Sequence, residues 1–140
     1  MKPTIILRVA AILALIQYAA HAFLFLSAAP THSAGEISVV VAMKTPVAGL
    51  TRTYWDFYFG YGLMVILSGV IEIVLLWYLA ALAKTEPSRV RPIVALLILA
   101  NFVHAFLVWK YFALPTPIAF DIVIALVLSV AFVSARRQDA

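Results

Sequence analysis

The sequence contains no cysteine in its 140 residues, and this absence excludes several kinds of chemistry. Disulfide exchange, thiolate catalysis and thiolate metal sites all require the sulfur that the chain lacks. A quinone-linked disulfide oxidase, one known role of small membrane proteins with four helices, is excluded for the same reason. Any chemistry of this chain must therefore use nitrogen and oxygen atoms.

Charged residues are also scarce, at 11% of the chain, and they almost vanish from four long apolar runs. The runs cover about residues 4–29, 54–83, 92–114 and 117–135. A helix needs about 20 apolar residues to cross the bilayer core. With 66% hydrophobic residues, a soluble domain of this size could not bury its apolar surface. We predict an all-α integral membrane protein, an up-down-up-down four-helix bundle that forms a single membrane domain over residues 1–140.

The first apolar run has some features of a secretory signal. Lys2 and Arg8 precede or interrupt its start, and the small residues 19–22 resemble a cleavage site. The run continues beyond that site to about Leu26, which is too long for the core of a signal. We therefore expect this segment to be retained as the first span.

The distribution of basic residues predicts the orientation. One side of the predicted topology carries seven of them, namely Lys2, Arg8, Lys84, Arg89, Arg91, Arg136 and Arg137, and the other carries Lys44, Arg52 and Lys110. The positive-inside rule then favours both termini in the cytoplasm. We predict a multi-pass protein of a bacterial inner membrane. Because these residues sit at helix ends and form no patch, we expect membrane lipids and not nucleic acid as partners.

Two capping boxes are predicted on the outer side. Ser33 with Glu36 starts a short amphipathic helix at about residues 34–44 in the first outer loop, lying on the membrane surface. Thr53 with Asp56 starts the second span. This assignment gives Asp56 a structural role as well as a candidate functional one.

Polar residues within the spans are the candidate functional residues, because they are costly in lipid. On the first span Gln17, Tyr18 and His21 share a face, and on the third Asn101 and His104 are three residues apart. Both histidines lie at a similar predicted depth, so we consider that they meet inside the bundle. Each could equally serve as a hydrogen-bonded core residue.

The second and fourth spans add further polar side chains. Tyr54, Tyr58, Tyr61 and Glu72 follow one stripe of the second span, and Asp121 lies near the start of the fourth. The predicted outer half therefore holds most of the polar groups, and the inner half holds mainly Glu72. The tyrosines have an alternative role as interface anchors, and Asp121 could be stabilised by the helix dipole alone.

This asymmetry favours a polar-lined pocket in the outer half of the bundle that binds a hydrophobic small molecule, with acid–base catalysis as its chemistry. We assign His21 and His104 as base or ligand, Asp56 or Asp121 as the orienting carboxylate, and Tyr58 and Asn101 as donors. The residues expected to line the pocket are Gln17, Tyr18, Tyr54, Tyr61, Asn101 and Glu72.

Two alternatives remain open. The chain could be an accessory subunit of a larger membrane complex, or a homo-oligomer, that uses Gly62, Gly69 and Glu72 for contact. It could also carry a haem between His21 and His104. No cofactor is identified by the sequence, and the absence of His-x-x-x-His and Glu-x-x-His spacings disfavours a di-iron site. Packing is the simpler role for the glycines.

One segment is distinctive enough to suggest a family. Residues 52–62 read RTYWDFYFGYG, and residues 84–92 follow as KTEPSRVRP. Together they resemble a family of small uncharacterised bacterial four-span membrane proteins that carry an RTYWDFYxGxG-like segment. The resemblance implies the four-span fold over most of the chain, and it implies no activity.

Overall fold

The computed structural model describes residues 2–27 and 33–136. These residues form five helices, and their only β-type pairing is an isolated bridge between Pro46 and Thr53. The helices are α1 (Pro3–Ser27), α2 (Ala34–Met43), α3 (Tyr54–Leu82), α4 (Pro87–Tyr111) and α5 (Pro115–Arg136). The predicted all-α four-helix bundle is confirmed. The predicted end of the first span at residue 29, and Arg137, lie outside the described residues.

Four of these helices, α1, α3, α4 and α5, are long and apolar enough to cross a membrane. The longest, α3, has 29 residues. Its length is about 43 Å at a rise of about 1.5 Å per residue. Since the hydrocarbon core of a bilayer is only about 30 Å thick, α3 is longer than a perpendicular span requires.

The start of α4 precedes its apolar run. The helix begins at Pro87, beside Ser88, where the sequence predicts the start of this helix, and five residues before the apolar run that begins at about residue 92. Pro87 suits the first turn because a proline lacks the N–H that would be unsatisfied there. Arg89 and Arg91 therefore belong to the helix, which hydropathy could not indicate because it detects apolar character and not backbone conformation.

Both predicted capping boxes are present. The Ser33 hydroxyl accepts a hydrogen bond from the backbone N–H of Glu36, and the Glu36 carboxylate accepts one from the backbone N–H of Ser33. Thr53 and Asp56 make the same reciprocal pair at the start of α3. The short helix predicted at residues 34–44 is therefore confirmed as α2, and Asp56 has the structural role that the sequence suggested.

Contacts divide the chain into two compact units. The first unit contains Met1–Gln17 and Gly69–Ala140, and the second contains Tyr18–Ser68. The first unit thus holds part of α1, part of α3 and all of α4 and α5, and α4 packs closely against α5. The second holds the remaining parts of α1 and α3 together with α2.

The described residues show the packing expected in a membrane. Half of the buried hydrophobic residues are alanines, for example Ala10, Ala14 and Ala125. Large side chains are exposed instead, with Phe23 at 70% and Leu96 at 66%. Small residues let helix backbones approach closely, and lipid covers the large apolar side chains without penalty. The distribution of small buried and large exposed apolar residues is therefore the one expected of a membrane helix bundle.

Aromatic packing organises the second unit. The Phe25 ring lies 5.4 Å from the Phe59 ring and 5.9 Å from the Tyr58 ring, measured between centroids. A Cβ atom added to Gly62 would collide with the Phe25 ring, whereas one added to Gly60 would meet nothing within 4 Å. Gly62 therefore permits the contact between α1 and α3 in this unit, which is the packing role suggested for the glycines.

Candidate functional site

The centre of the candidate site is a buried aspartate that joins three helices. Asp121 of α5 is only 1% exposed. Its Oδ1 accepts a hydrogen bond of 2.7 Å from Nε2 of Gln17 on α1. Its Oδ2 lies 2.8 Å from Nδ1 of His104 on α4. Both carboxylate oxygens are thus engaged by side chains from other helices of the first unit.

These contacts define the roles of the two partners. With Asp121 ionised, its carboxylate can only accept hydrogen bonds, and Nδ1 of His104 is then the atom that carries the proton in this contact. For the same reason the amide nitrogen of Gln17, and not its oxygen, must face Asp121. In a neutral imidazole with Nδ1 protonated, Nε2 is the acceptor. Asp121 therefore holds His104 with Nε2 as its basic atom.

The position of Asp121 favours a site role over a helix-dipole role. Helix α5 begins at Pro115, and its first turn contains no acidic residue. The dipole effect falls off within the first turn. The two side-chain partners, not the helix terminus, thus account for the stabilisation of this buried carboxylate.

A second polar contact lies one helical turn along α4. Nδ2 of Asn101 donates to Oε1 of Glu72 on α3 at 3.1 Å and to the backbone oxygen of Leu97 at 2.9 Å. Asn101 is buried, and Glu72 is half-buried. Asn101 and His104 are neighbours on one face of α4 because they are three residues apart. All four long helices therefore supply a polar side chain to this part of the first unit.

This arrangement joins Glu72 to the other polar residues of the first unit. The sequence predicted Glu72 as the main polar residue of the inner half. Its contact with Asn101 brings it to a residue of α4 that lies three positions from His104. Glu72 belongs to the same polar group as the other candidates.

The remaining candidates fall in the second unit. The His21 ring stacks on the Phe25 ring at 5.9 Å between centroids. The Tyr58 ring lies 5.4 Å from the Trp55 ring. Tyr54 and Tyr61 are exposed, and Tyr18 is half-buried. The structure thus groups Gln17, Glu72, Asn101, His104 and Asp121 in one unit and Tyr18, His21, Tyr54, Asp56, Tyr58 and Tyr61 in the other.

An open groove runs along one face of α3 in the second unit. It has a volume of about 550 Å³ and is lined by Arg52, Asp56, Phe57, Gly60, Tyr61 and Met64. From Asp56 onwards these residues recur at helical spacing, so the groove follows a single helix face. Ligand sites normally enclose most of their ligand, whereas a single face covers only one side. This groove is therefore a weaker candidate than the polar group around Asp121.

Metal binding has no support from the described side chains. Within residues 2–27 and 33–136, no three His, Asp or Glu side chains are grouped so that they could hold a metal ion. In the first unit the described carboxylates bond an imidazole and two amides. Their arrangement suits hydrogen bonding and proton transfer.

Comparison with known proteins finds no matching protein family, no matching curated protein and no matching solved structure.

All five polar residues of the first unit were candidates from the sequence, which gave Asp56 or Asp121 as the carboxylate that orients a histidine but did not choose between them. The sequence also suggested that His104 would meet His21, and it placed Gln17 on one face of the first span with Tyr18 and His21. The structure pairs both His104 and Gln17 with Asp121. No spacing within one helix could indicate this, because the partners are 17 and 104 residues away.

Proposed function

We propose that this protein binds a hydrophobic small molecule at His104 and that His104 acts as the base in acid–base chemistry on that molecule. The site is the polar group of the first unit, and the protein works as a multi-pass protein of a bacterial inner membrane with both termini in the cytoplasm. The observation that carries the proposal is the contact between His104 and Asp121.

Three features of that contact support a functional role. Asp121 is buried and fully engaged, so its position is defined. His104 is less covered, with 41% of its side-chain surface exposed, compared with 2% for Asp121. A buried carboxylate that orients a more accessible imidazole is the arrangement by which proteins prepare a general base.

The chemistry follows from the assignment of the two ring nitrogens. Nε2 takes a proton from the bound molecule and becomes part of an imidazolium. Asp121 stabilises that imidazolium through Nδ1, because the opposite charges lie 2.8 Å apart. Gln17 holds the second carboxylate oxygen, so that Asp121 keeps its orientation while the charge on His104 changes. The proton then returns from Nε2 to another atom of the same molecule, and no other reactant is needed.

The test is native mass spectrometry of protein released gently from its own membrane, with an absorption spectrum of the same sample. The two variants are His104→Ala and His104→Asn. Asparagine keeps a nitrogen that can donate to Asp121 but lacks Nε2, so it removes the basic atom with little change to the buried pair. Ser129→Ala is the matched control, since that hydroxyl bonds only Ala125 O of its own helix.

We expect the wild type and Ser129→Ala to carry an added small-molecule mass and both His104 variants to lose it. Retention by both His104 variants at the wild-type level would overturn the proposal. A wild-type chain that appears only together with other polypeptides would favour the accessory-subunit alternative instead. A Soret band in the wild type that both His21→Ala and His104→Ala abolish would favour the haem alternative.

A further inference from the structure

The amide of Gln17 presents a hydrogen-bonding group that the contacts described above do not use. Gln17 is only 8% exposed, and its Nε2 is committed to Asp121. Its Oε1 is buried and accepts no hydrogen bond within the part of the chain that the structure describes. A buried carbonyl oxygen without a donor costs about 1–3 kcal/mol. The site therefore has an acceptor that lacks its donor.

Rotation of the amide cannot remove this deficit. If the amide of Gln17 were reversed, its oxygen would face Oδ1 of Asp121, and two acceptors would repel each other at 2.7 Å. The carboxylate thus fixes which end of the amide is left over. Whatever satisfies Oε1 must come from outside the pairs formed by Gln17, His104 and Asp121.

The charge of the site restricts what can supply that donor. An anionic head group would approach the negative charge of Asp121 and the partial negative charge of Oε1, and the described groups that bond this carboxylate, the Gln17 amide and the neutral His104 imidazole, carry no positive charge to offset them. Like charges at close range in a medium of low dielectric constant disfavour such a ligand strongly. A head group with an O–H or N–H bond has no such penalty.

We propose that the molecule bound at this site is a lipophile with a hydroxyl or amino head group, which donates a hydrogen bond to Oε1 of Gln17. This inference rests on the proposed function and names the chemical class of its ligand. A long hydrocarbon part matches the apolar surroundings of the spans, and the head group supplies the donor that Gln17 lacks. Because Oε1 is enclosed by protein atoms, binding requires a change of side-chain rotamer beside it.

The experiment compares two probes that differ in one hydrogen-bond donor. The probes are 1-dodecanol and dodecyl methyl ether, titrated into protein in nanodiscs of phosphatidylcholine, with dodecanoate as the anionic probe. Binding is measured by native mass spectrometry for the wild type, Gln17→Leu and Ser129→Ala. Leucine is similar in size to glutamine but has neither the amide oxygen nor the amide nitrogen. Each probe partitions into the lipid to the same extent for every variant, so comparison between variants cancels this effect.

We expect the wild type and Ser129→Ala to bind the alcohol about tenfold more tightly than the ether, and dodecanoate most weakly. In Gln17→Leu the preference for the alcohol over the ether should disappear. If Gln17 had only a structural role, Gln17→Leu would lower the affinity for both probes equally. The ratio of the two affinities would then stay as in the wild type, and this result would overturn the inference.

The outcomes separate this inference from the proposed function. If alcohol and ether bind equally to the wild type but neither binds to His104→Asn, the proposed binding at His104 stands and the donor proposal fails. If dodecanoate binds best, the donor proposal fails as well. If no probe binds the wild type, both proposals fail. Circular dichroism of Gln17→Leu should show the helicity of the wild type. A change in the ratio of alcohol to ether affinity then reflects the lost amide and not unfolding.

Discussion

His104 and Asp121 lie 17 residues apart in the sequence, on two helices joined by a short turn, and their side chains meet at 2.8 Å between Nδ1 and Oδ2. The turn makes α4 and α5 antiparallel neighbours, so residues at matching distances from it face each other. Gln17 of α1 then completes the environment of the carboxylate. Asp121 thus bonds one side chain from α4 and one from α1, and these three residues form the centre of the candidate site.

Removing the charge of Asp121 should weaken the first unit. Asp121→Asn replaces one accepting oxygen by an NH₂ group. That NH₂ group then points at the N–H of either Gln17 or His104, and these two donors cannot form a hydrogen bond. We expect a loss of about 1–3 kcal/mol in the free energy of unfolding, which is the usual cost of an unsatisfied buried polar group. Unfolding in mixed micelles measures it. Ser129→Ala should change that free energy by less than about 0.5 kcal/mol, and an equal loss in both variants would contradict the central position of Asp121.

Alanine at the two glycines of α3 should have opposite effects. Gly62→Ala places a methyl group against the Phe25 ring, and overpacking of this kind costs about 1–3 kcal/mol. Gly60→Ala meets open space and should stabilise the helix by up to about 1 kcal/mol. The same unfolding measurement compares them. Equal effects of the two substitutions would show that Phe25 does not pack at Gly62.

The turn between α4 and α5 should respond to substitution at Ala113. This residue has a φ of 52°, in the left-handed region that disfavours any residue with a Cβ atom. Its backbone N–H bonds Val108 O at 2.9 Å, which closes the end of α4. Ala113→Gly should therefore stabilise the protein by about 0.5–1 kcal/mol, since relief of the strain exceeds the added entropy of the unfolded chain.

The β-branched variant Ala113→Val provides the opposing test of the same backbone conformation. Valine fits the left-handed region worse than alanine, so this variant should be less stable than the wild type. In thermal unfolding we expect Ala113→Gly to have the highest midpoint temperature, the wild type the next and Ala113→Val the lowest. A ranking with valine above alanine would contradict the left-handed conformation at this position.

Asp56 provides a test that separates a cap from a catalytic group. Its Oδ2 accepts hydrogen bonds from the backbone N–H of Thr53 at 2.8 Å and from the hydroxyl of Thr53 at 3.0 Å. Asp56→Ala should cost about 1 kcal/mol of stability through the lost cap. Retention of the bound molecule should stay at the wild-type level, as measured by native mass spectrometry. Loss of the molecule in this variant alone would return Asp56 to the functional residues.

The sequence predicted the features that depend on local chemistry. The four long helices follow from the apolar runs, and the starts of α2 and α3 follow from Ser33 with Glu36 and from Thr53 with Asp56. Each of these signals lies within a few neighbouring residues. The start of α4 at Pro87 likewise lies beside Ser88, which the sequence indicates as a helix start, although the apolar run begins only at about residue 92.

The pairing of side chains across helices could not be predicted for a physical reason. In a soluble helix the apolar stripe identifies the buried face, but lipid is as apolar as the core, so apolar residues surround each membrane helix. Without that stripe, the hydropathy of the sequence does not indicate which face of α5 is buried. The rotation of α5 about its axis, which directs Asp121 towards His104, therefore cannot be predicted from it. Only the division between small buried residues and large exposed ones indicates that rotation, and the buried alanines Ala125 and Ala135 lie on the same face of α5 as Asp121.

The most direct test of the central claim is the protonation of the His104 ring, measured by NMR of protein labelled with ¹⁵N-histidine, with His104→Asn used to assign the signal. The contact with Asp121 places the proton on Nδ1 and the proposed base needs a free Nε2, so we predict a neutral ring protonated at Nδ1. In Asp121→Asn the preference for Nδ1 should weaken. A neutral His104 protonated only at Nε2 in the wild type would contradict the account, because the basic atom would then face Asp121 and not the bound molecule.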